Sequence, residues 1–138
     1  MRPTTPLLTV DAVIPLKKGN ESGVVLIKRR NPPPGWALPG GFVDVGETVE
    51  AACVREAKEE TSLDVRIARL VGVYSDPARD PRGHAVSVAF LCEVVGGDLR
   101  ARDDAAEAGV FTSDEVNALE VAFDHRDIIR DSGVFGGA

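Results

Sequence analysis

Residues 41–63 constrain this chain most, because they place three glutamates on one face of a predicted helix. The run that begins at Thr48 has good helix formers, contains no glycine or proline, and alternates with a period of about 3.6 residues. Glu56, Glu59 and Glu60 lie at positions i, i+3 and i+4, so their side chains fall within an arc of roughly 100°. Carboxylates this close repel one another unless a divalent cation lies between them or water screens them fully. The helix therefore predicts either a cation site or a solvated acidic face.

The donor atoms indicate which ion such a site would take. Ligands that are all oxygen suit Mg²⁺ or Mn²⁺ better than zinc. Gly40 and Gly41 precede the helix and let the backbone approach a ligand closely, so a carbonyl of either residue could complete the coordination. Arg55 lies one i+4 step from Glu59 and also points toward the end of the helix near Glu47, so it could hold either carboxylate in place.

The same segment matches a spaced motif. It follows the pattern G-x5-E-x7-R-E-x2-E-E, with the fixed positions occupied by Gly41, Glu47, Arg55, Glu56, Glu59 and Glu60. With each residue type used at about 7%, chance agreement at six preset positions is on the order of one in ten million. On these residues the chain resembles the Nudix hydrolase family, and the preceding VVLIKRRNPPPGWALPGG is similar to that family's approach to the motif. The resemblance covers residues 7–131, with the Nudix box at residues 41–63.

This resemblance implies a fold, a reaction and roles for the box residues. The fold would be of the α/β class, a single domain over residues 1–138 built as an α/β/α sandwich with a mixed β-sheet. The reaction would be metal-dependent hydrolysis of a diphosphate linkage, with Mg²⁺ as cofactor or Mn²⁺ in its place. Glu47 and Arg55 would orient the carboxylates that bind the metal and activate water. The metal ligands would be Glu56, Glu59, Glu60 and the carbonyl of Gly40.

The resemblance leaves the general base open, because family members differ at this point. Glu59 or Glu60 could take the role, and so could an acid outside the box. Asp103, Asp104 and Glu107 are the outside candidates, and Asp104 could also bind the metal. These three acids are expected in a loop, where the alternative interpretation is a solvated acidic segment.

Two positions of the box depart from the family pattern. Ser62 stands where the family has glycine, and Ala57 stands where a larger aliphatic residue is common. Glycine normally takes the left-handed conformation that ends the helix, and a serine there costs about 1 kcal/mol. No carboxylate is lost, so the chemistry is expected to be intact. The residue at which the helix ends is not predicted.

Hydrophobic periodicity and turn residues predict the other elements. Strands are predicted at residues 7–16, 24–28, 65–74 and, as a central strand, 85–95. Polar turns and loops are predicted at residues 17–23, 31–35 and 75–83. Two short C-terminal helices begin with predicted capping boxes, Thr112 with Glu115 and Asp124 with Asp127. Residues 1–6 and 132–138 are expected to be flexible tails.

Composition limits the partners. The 138 residues suit one compact domain, and a formal net charge of −6 disfavours binding to nucleic acid polymers. A small substrate that carries phosphate is compatible with this net charge if metal ions neutralise the phosphate locally. We expect neither a leader peptide nor an apolar run of the roughly 20 residues that a bilayer requires, and therefore a cytoplasmic protein without a membrane partner. Cys53 and Cys92 match no zinc spacing and are expected to be buried, reduced thiols.

A second resemblance concerns the substrate. The segments YSDPARDPRGHAVSVAF and AFDH, at residues 74–90 and 122–125, are similar to ADP-ribose pyrophosphatases. This implies hydrolysis of ADP-ribose to AMP and ribose 5-phosphate. Trp36, Asp124 and His125 are expected to be structural. The candidate substrate contacts are Arg30, Arg79, Arg82 and His84, for each of which a solvated residue is the alternative.

Two other functions stay open at this point. One is hydrolysis of an oxidised nucleoside triphosphate, and the other is a non-catalytic module that senses ADP-ribose. The sensor is disfavoured because the carboxylate set is complete and because 138 residues leave no room for a DNA-binding module. A homodimer is expected by analogy with the family.

Overall fold

The computed structural model describes residues 2–101 and 105–136 as a mixed α/β structure. The strands are β1 Leu7–Val13, β2 Pro15–Lys18, β3 Glu21–Arg29, β4 Trp36–Ala37, β5 Gly40–Phe42, β6 Leu63–Tyr74, β7 Ala85–Gly97 and β8 Ala105–Thr112. The helices are α1 Val49–Thr61, α2 Ser113–Ala118 and α3 His125–Ser132. Helices pack on a mixed sheet, so the predicted fold class is confirmed.

The mixed sheet has the strand order β5-β1-β7-β6. β1 runs parallel to β7, from the pair of Leu7 with Ala85 onward, and the other neighbours are antiparallel. β7 lies between β1 and β6, which confirms the predicted central strand at residues 85–95. Its run of β-branched and aromatic residues suits a strand that is paired on both edges. The strand also continues through Gly96 and Gly97, which pair with the start of β6.

The second sheet is built around β3, which pairs antiparallel with β2, β4 and β8. The prediction of one strand over residues 7–16 is therefore wrong, because β1 and β2 belong to different sheets. The change occurs at Pro15, which has no N–H to donate and cannot continue the ladder of β1.

The hairpin turn between β2 and β3 is shorter than the predicted turn at residues 17–23. Lys18 already pairs with Glu21, so the turn consists of Gly19 and Asn20. Gly19 has φ 62°, a conformation that glycine adopts at no steric cost and that two-residue hairpins require. Polar composition alone overstated the length of this turn.

Helix α1 covers one face of the mixed sheet. Ala52, Cys53 and Ala57 of this helix are buried in a cluster with residues of β1, β6 and β7. The small side chain at Ala57 is fully buried, which suits close packing of the helix against the strands. Cys53 and Cys92 are both free and buried, with Sγ atoms 3.7 Å apart, and the predicted buried thiols are confirmed.

Helix α3 packs on the opposite side of the mixed sheet, and α2 packs beside β8 of the second sheet. Val116 of α2 and Ile128 and Ile129 of α3 form a second buried cluster with Val13 and Leu26. Neighbouring residues of a strand point to opposite faces, so β1 supplies side chains to both clusters. The result is a layered arrangement with the sheets between helices.

The two C-terminal helices begin differently. Thr112 and Glu115 form the predicted capping box at α2. Asp124 is the N-cap of α3 but makes no side-chain capping bond, so the second predicted capping box is wrong. Its carboxylate instead accepts two hydrogen bonds from Arg79, because a charged fork is a stronger partner than a backbone N–H.

Two further expectations need correction. Glu107 lies in β8 opposite Lys28 rather than in a loop. Ser132 is buried at the end of α3, and Val134 and Phe135 pack against the second cluster, so the expected tail at residues 132–138 does not begin at 132. Within residues 2–101 and 105–136, no helix combines the length and apolar character needed to cross a membrane.

Candidate functional site

Helix α1 is fixed at both ends. At its start, the side chain of Thr48 accepts a hydrogen bond from the N–H of Ala51. At its end, Ser62 adopts φ 66° and its N–H donates to the carbonyl of Lys58. Ser62 thus takes the left-handed conformation that glycine has in the family pattern, and the helix ends at the residue the pattern implies.

Arg55 connects the acidic residues around α1. Its Nε and Nη2 donate to the two oxygens of Glu47 at 2.6 and 2.9 Å. Its Nη1 donates to Glu56 at 2.9 Å and to Glu59 at 3.2 Å. Nη2 also donates to the carbonyl of Phe42 at 3.0 Å. The contact of Arg55 with Glu59 that the spacing indicates is present, and one guanidinium group compensates three carboxylates.

These contacts change the proton affinities of the groups. The hydrogen bond from Arg55, followed by that from the backbone of Asp44, lowers the pKa of Glu47 from its ordinary value of 4.5 to about 2. The same pair raises the pKa of Arg55 above its ordinary value. Burial raises the pKa of Glu56 and outweighs the opposing hydrogen bond and charge of Arg55. A cation beside Glu56 would favour its ionised form.

Glycines bring the backbone of β5 against the carboxylates. The N–H of Gly40 donates to Glu60 at 2.8 Å, and Glu60 is only 6% exposed. A Cβ atom at Gly41 would lie 2.6 Å from the carboxyl carbon of Glu56, and one at Gly40 would lie 2.1 Å from the carbonyl oxygen of Val10. Only glycine permits this approach, so both glycines shape the site.

The oxygen donors of the site partly meet the needs of a divalent cation. Among residues 2–101 and 105–136, no three Asp, Glu, His or Cys side chains are grouped closely enough to hold a metal ion. Glu56 and Glu60 nevertheless line one cleft beside Gly40 and offer oxygen donors. Glu59 lines neither cavity and accepts hydrogen bonds from Arg55 on both of its oxygens, so ligation by all three glutamates requires its side chain to move. The chemistry of the donors fits a divalent cation, while their present arrangement is that of an Arg55-bound cluster.

A cleft of about 200 Å³ opens beside the box. It is continuous with a smaller cavity of about 60 Å³, because Arg29, Gly40, Glu60 and Arg82 line both. Acidic metal-binding candidates and basic phosphate-binding candidates therefore face one space.

The structure separates the four predicted substrate contacts. Arg82 lines both cavities, Arg30 lines the larger one, and Arg79 lines the smaller one. Arg30 lies one residue beyond the end of β3 rather than on a strand. His84 lines neither cavity; it borders a neighbouring hollow, and its Nε2 lies 3.0 Å from the carbonyl oxygen of Ser75.

Two residues that line the smaller cavity were not among the predicted site residues. Arg29 and Phe123 line the smaller cavity, with the guanidinium carbon of Arg29 4.9 Å from the ring centroid of Phe123. Arg29 stands in a visible basic run at residues 28–30, which is a signal that it could reach phosphate. Phe123 has no such local signal.

A buried polar chain supports the floor of the cleft. His125 is 3% exposed, and its Nδ1 accepts a hydrogen bond from the N–H of Leu38 at 3.0 Å. Its Nε2 lies 3.3 Å from Asp11, which also accepts a hydrogen bond from Ser87. Because Nδ1 accepts, Nε2 carries the proton in the neutral ring, on the side that faces Asp11. These contacts favour the expected structural role, but His125 also lines the smaller cavity, so that role stays a prediction.

Asp124 and Trp36 also make structural contacts. Arg79 donates to Asp124 at 2.6 and 2.9 Å, and the Arg79 side chain is only 4% exposed. Burial would lower the pKa of Arg79, but the hydrogen bond and charge of Asp124 raise it. Trp36 packs edge-on against Phe111, with ring centroids 4.7 Å apart, and lines neither of the two cavities beside the box.

The structure gives a position for only one of the three candidate bases outside the box. Glu107 is exposed on β8, where its carboxylate lies 4.0 Å from Lys28, and it lines neither cavity. Asp103 and Asp104 lie outside the described residues. Of the acids with described positions, Glu56 and Glu60 face the larger cleft.

Comparison with known proteins decides the family. A family model described as the NUDIX domain matches residues 6–132, a span that includes the box, the cleft and all three helices. The chain belongs to the NUDIX family. The Nudix fold expected from the box is therefore confirmed across the chain rather than at the motif alone.

Individual NUDIX relatives extend this result. An ADP-ribose pyrophosphatase from Methanocaldococcus jannaschii is 52% identical over 128 residues, which is 91% of this chain and 72% of that protein. The NUDIX domain of Shewanella oneidensis NrtR, solved with ADP ribose, has a TM-score of 0.84 at 26% identity and covers 94% of this chain and 87% of that one. A bifunctional NMN adenylyltransferase/ADP ribose pyrophosphatase from Francisella tularensis, solved with AMP and a Mn ion, has a TM-score of 0.77 at 26% identity. It is matched over 91% of this chain and 40% of its own.

Proposed function

We propose that this NUDIX protein is an ADP-ribose pyrophosphatase that hydrolyses ADP-ribose to AMP and ribose 5-phosphate. The observation that carries the proposal is the 52% identity to an ADP-ribose pyrophosphatase over 91% of the chain. The complete box and the cleft beside it support catalysis, because Glu56 and Glu60 face the same space as Arg29 and Arg82. Such a space accommodates both a divalent cation and an anionic diphosphate.

Mg²⁺ is the proposed cofactor, with Mn²⁺ as a substitute. Glu56, Glu59 and Glu60 would hold it with the carbonyl of Gly40, and Asp104 is an additional candidate ligand. When bound, such an ion neutralises diphosphate oxygens and lowers the pKa of bound water. The Mn ion of the Francisella tularensis structure supports a divalent metal.

The residues of the chain supply position and proton transfer. Arg55 holds Glu56 at one edge of the cleft, and Glu47 fixes Arg55 in turn. Arg55 also holds Glu59, which would have to move in order to bind the ion. The backbone N–H of Gly40 holds Glu60. Glu59 or Glu60 is the proposed base that accepts a proton from the attacking water. That water would attack phosphorus in line with the leaving phosphate. Asp103, Asp104 and Glu107 remain the candidates outside the box, and the distance of Glu107 from the cleft makes it the weakest.

Substrate contact is proposed for the arginines that line the cleft. Arg82 and Arg30 have the strongest support, because both border the cleft that contains Glu56. Arg79 keeps a place as a contact from the smaller cavity, although it is paired with Asp124, as Arg82 is with Asp80, and its side chain is only 4% exposed. His84 borders a neighbouring hollow that shares Arg82 with the cleft, and it is retained only as a contact to an extended part of the substrate.

We also infer that residues 1–138 form a single Nudix domain in the cytoplasm, with a small nucleotide as its partner and no affinity for nucleic acid polymers or membranes. The family match over residues 6–132 and the net charge of −6 support this. A homodimer is supported by exposed apolar side chains at Leu7 and Phe42, which border a common hollow. Light scattering after size exclusion tests the dimer directly.

A substrate panel tests the proposed reaction. Purified protein with Mg²⁺ would be given ADP-ribose, dinucleotide polyphosphates and 8-oxo-dGTP, with and without a chelator, and the products separated by chromatography. We expect AMP and ribose 5-phosphate from ADP-ribose, and loss of turnover with chelator. If release of pyrophosphate from 8-oxo-dGTP is the dominant reaction, the substrate is a nucleoside triphosphate rather than ADP-ribose. Calorimetric binding of ADP-ribose without any product would instead identify a sensor.

A further inference from the structure

Phe123 has a backbone conformation that bulky residues rarely adopt. Its φ angle is 56°, in the left-handed region where glycine and asparagine are common. Strain of this kind persists where the surroundings hold it, and it concentrates at functional sites. Phe123 directly precedes the N-cap of α3, and its half-buried ring lines the smaller cavity. The fold therefore keeps this ring at the cleft at an energetic cost.

Two guanidinium groups lie against the ring of Phe123. The guanidinium carbon of Arg29 is 4.9 Å from the ring centroid, and that of Arg82 is 5.3 Å from it. Both distances fall within the roughly 6 Å over which a cation is attracted to an aromatic face. Arg29 ends β3, and Arg82 lies in the loop between β6 and β7. One ring is thus a shared contact of two cations that are distant in sequence.

Further hydrogen bonds orient these two arginines. Nε of Arg29 donates to the carbonyl of Pro33 at 2.8 Å. Arg82 donates to both oxygens of the buried Asp80, from Nε at 3.1 Å and from Nη2 at 2.8 Å. Both arginines line the cleft together with Glu60. Their positions are therefore set before any ligand arrives.

We infer that Phe123 is a positioning residue that holds Arg29 and Arg82 as a two-armed site for the diphosphate of a nucleotide. The inference rests on the proposed function, since it names the residues that take the anionic part of that substrate. In a chain with a net charge of −6, a diphosphate needs local positive charge in order to approach carboxylates. Asp80 occupies the Nε–Nη2 edge of Arg82, so the other edge, Nη1 with the second N–H of Nη2, would bind phosphate oxygens. A guanidinium group that is fixed in this way loses less freedom on binding than a mobile one.

The test compares three substitutions of Phe123. Phe123→Leu keeps apolar volume without a ring, and Phe123→Tyr keeps the ring. Phe123→Asn also removes the ring, and it keeps the test open if the Leu variant does not fold, because Asn tolerates a positive φ. Binding of ADP and of ADP-ribose would be measured by calorimetry in chelator, where turnover cannot interfere. Steady-state kinetics on ADP-ribose with Mg²⁺ would separate KM from kcat.

We expect the Leu and Asn variants to weaken ADP binding about fivefold to tenfold and to raise KM more than they lower kcat. The Tyr variant should recover most of the lost affinity. Arg29→Gln and Arg82→Gln should weaken ADP binding at least as much. Adding Phe123→Leu to either of them should have less than its separate effect, because the ring acts through the arginines.

Phe111→Leu is the matched control. The ring of Phe111 packs against Trp36 and lies 5.7 Å from the ammonium nitrogen of Lys18, outside both cavities. This variant should lose stability while its affinity for ADP is unchanged. An equal loss of ADP affinity in Phe111→Leu would show a general structural effect and overturn the inference.

Two other results would overturn the inference: normal ADP binding by both the Leu and the Asn variants, or wild-type protein that binds neither nucleotide. The outcomes also separate the two proposals. If ADP binding changes as expected but ADP-ribose is not hydrolysed, the proposed reaction is contradicted and the anion site is supported. If ADP-ribose is hydrolysed but the Phe123 variants bind ADP normally, only the proposed anion site is contradicted.

Discussion

Nε of Arg55 lies 2.6 Å from one carboxylate oxygen of Glu47, and Nη2 of Arg55 lies 2.9 Å from the other. This two-point contact ties the loop before α1 to the second turn of the helix. It also fixes the direction of Nη1, which donates to Glu56 and Glu59. A change at Glu47 therefore reaches the box carboxylates through Arg55.

The first prediction concerns the pH dependence of this pair. The pKa of Glu47 is lowered from 4.5 to about 2 in the folded state, so the pair stabilises the fold above pH 4.5. That contribution is lost as the pH falls from 4.5 towards 2, because the unfolded chain takes up the proton first. Glu47→Gln removes the titrating group, so the wild type should be the more stable protein at neutral pH. The difference in free energy of unfolding, measured with urea in metal-free buffer, should shrink below pH 4.5, and a difference that is constant down to pH 2 would contradict the pairing.

The second prediction concerns charge at Glu60. Glu60→Gln keeps an oxygen that can accept the hydrogen bond from Gly40, so the fold should survive. It removes one negative charge from the cleft, and turnover of ADP-ribose should fall at least about 100-fold. Glu50→Gln, in the exposed first turn of α1, is the matched control and should keep its activity. Thermal melting checks the fold of both variants, and a folded Glu60→Gln protein with full turnover would remove Glu60 from the mechanism.

The third prediction concerns Ser62. Its φ of 66° is unfavourable for serine and neutral for glycine. Ser62→Gly should therefore raise the free energy of unfolding by about 1 kcal/mol at most, since the freer unfolded chain offsets part of the gain. Ser62→Ala keeps the strain and should give no gain. Chemical denaturation of the three proteins measures this, and equal stability of the Gly and Ala variants would show that the left-handed cap carries no strain.

The box could be predicted from sequence because its geometry is local. A helix with a period of 3.6 residues places Arg55 beside Glu59 whatever the rest of the chain does. The contact between Arg55 and Glu47 spans only eight positions and follows from the same helix and its loop. The central strand at residues 85–95 was predicted for a similar reason, since its run of β-branched residues has no competing pattern.

The remainder of the site depends on contacts between distant segments. His125 and Leu38 are 87 positions apart, and Ser87 and Asp11 are 76 positions apart, so no local pattern indicates either pair. At Asp124 the local pattern predicted a helix cap, and Arg79, 45 positions earlier, took the carboxylate instead. At Asp124, pairing with the buried charge of Arg79 outweighs the local capping preference.

The last prediction separates two glycines of the box segment. A methyl group at Gly41 would lie 2.6 to 2.7 Å from the carboxylate of Glu56, the far end of a flexible side chain that can move aside if it gives up its hydrogen bond from Arg55. Gly41→Ala should therefore keep most of its stability but lose at least about tenfold in turnover, because Glu56 leaves its place in the cleft. Gly46 has open space around it and φ 91°, so Gly46→Ala should lose about 1 kcal/mol of stability and retain turnover. Kinetics and urea denaturation of both variants check this opposite pair of effects. If Gly41→Ala kept full turnover, the position of Glu56 against the β5 backbone would have no part in the reaction.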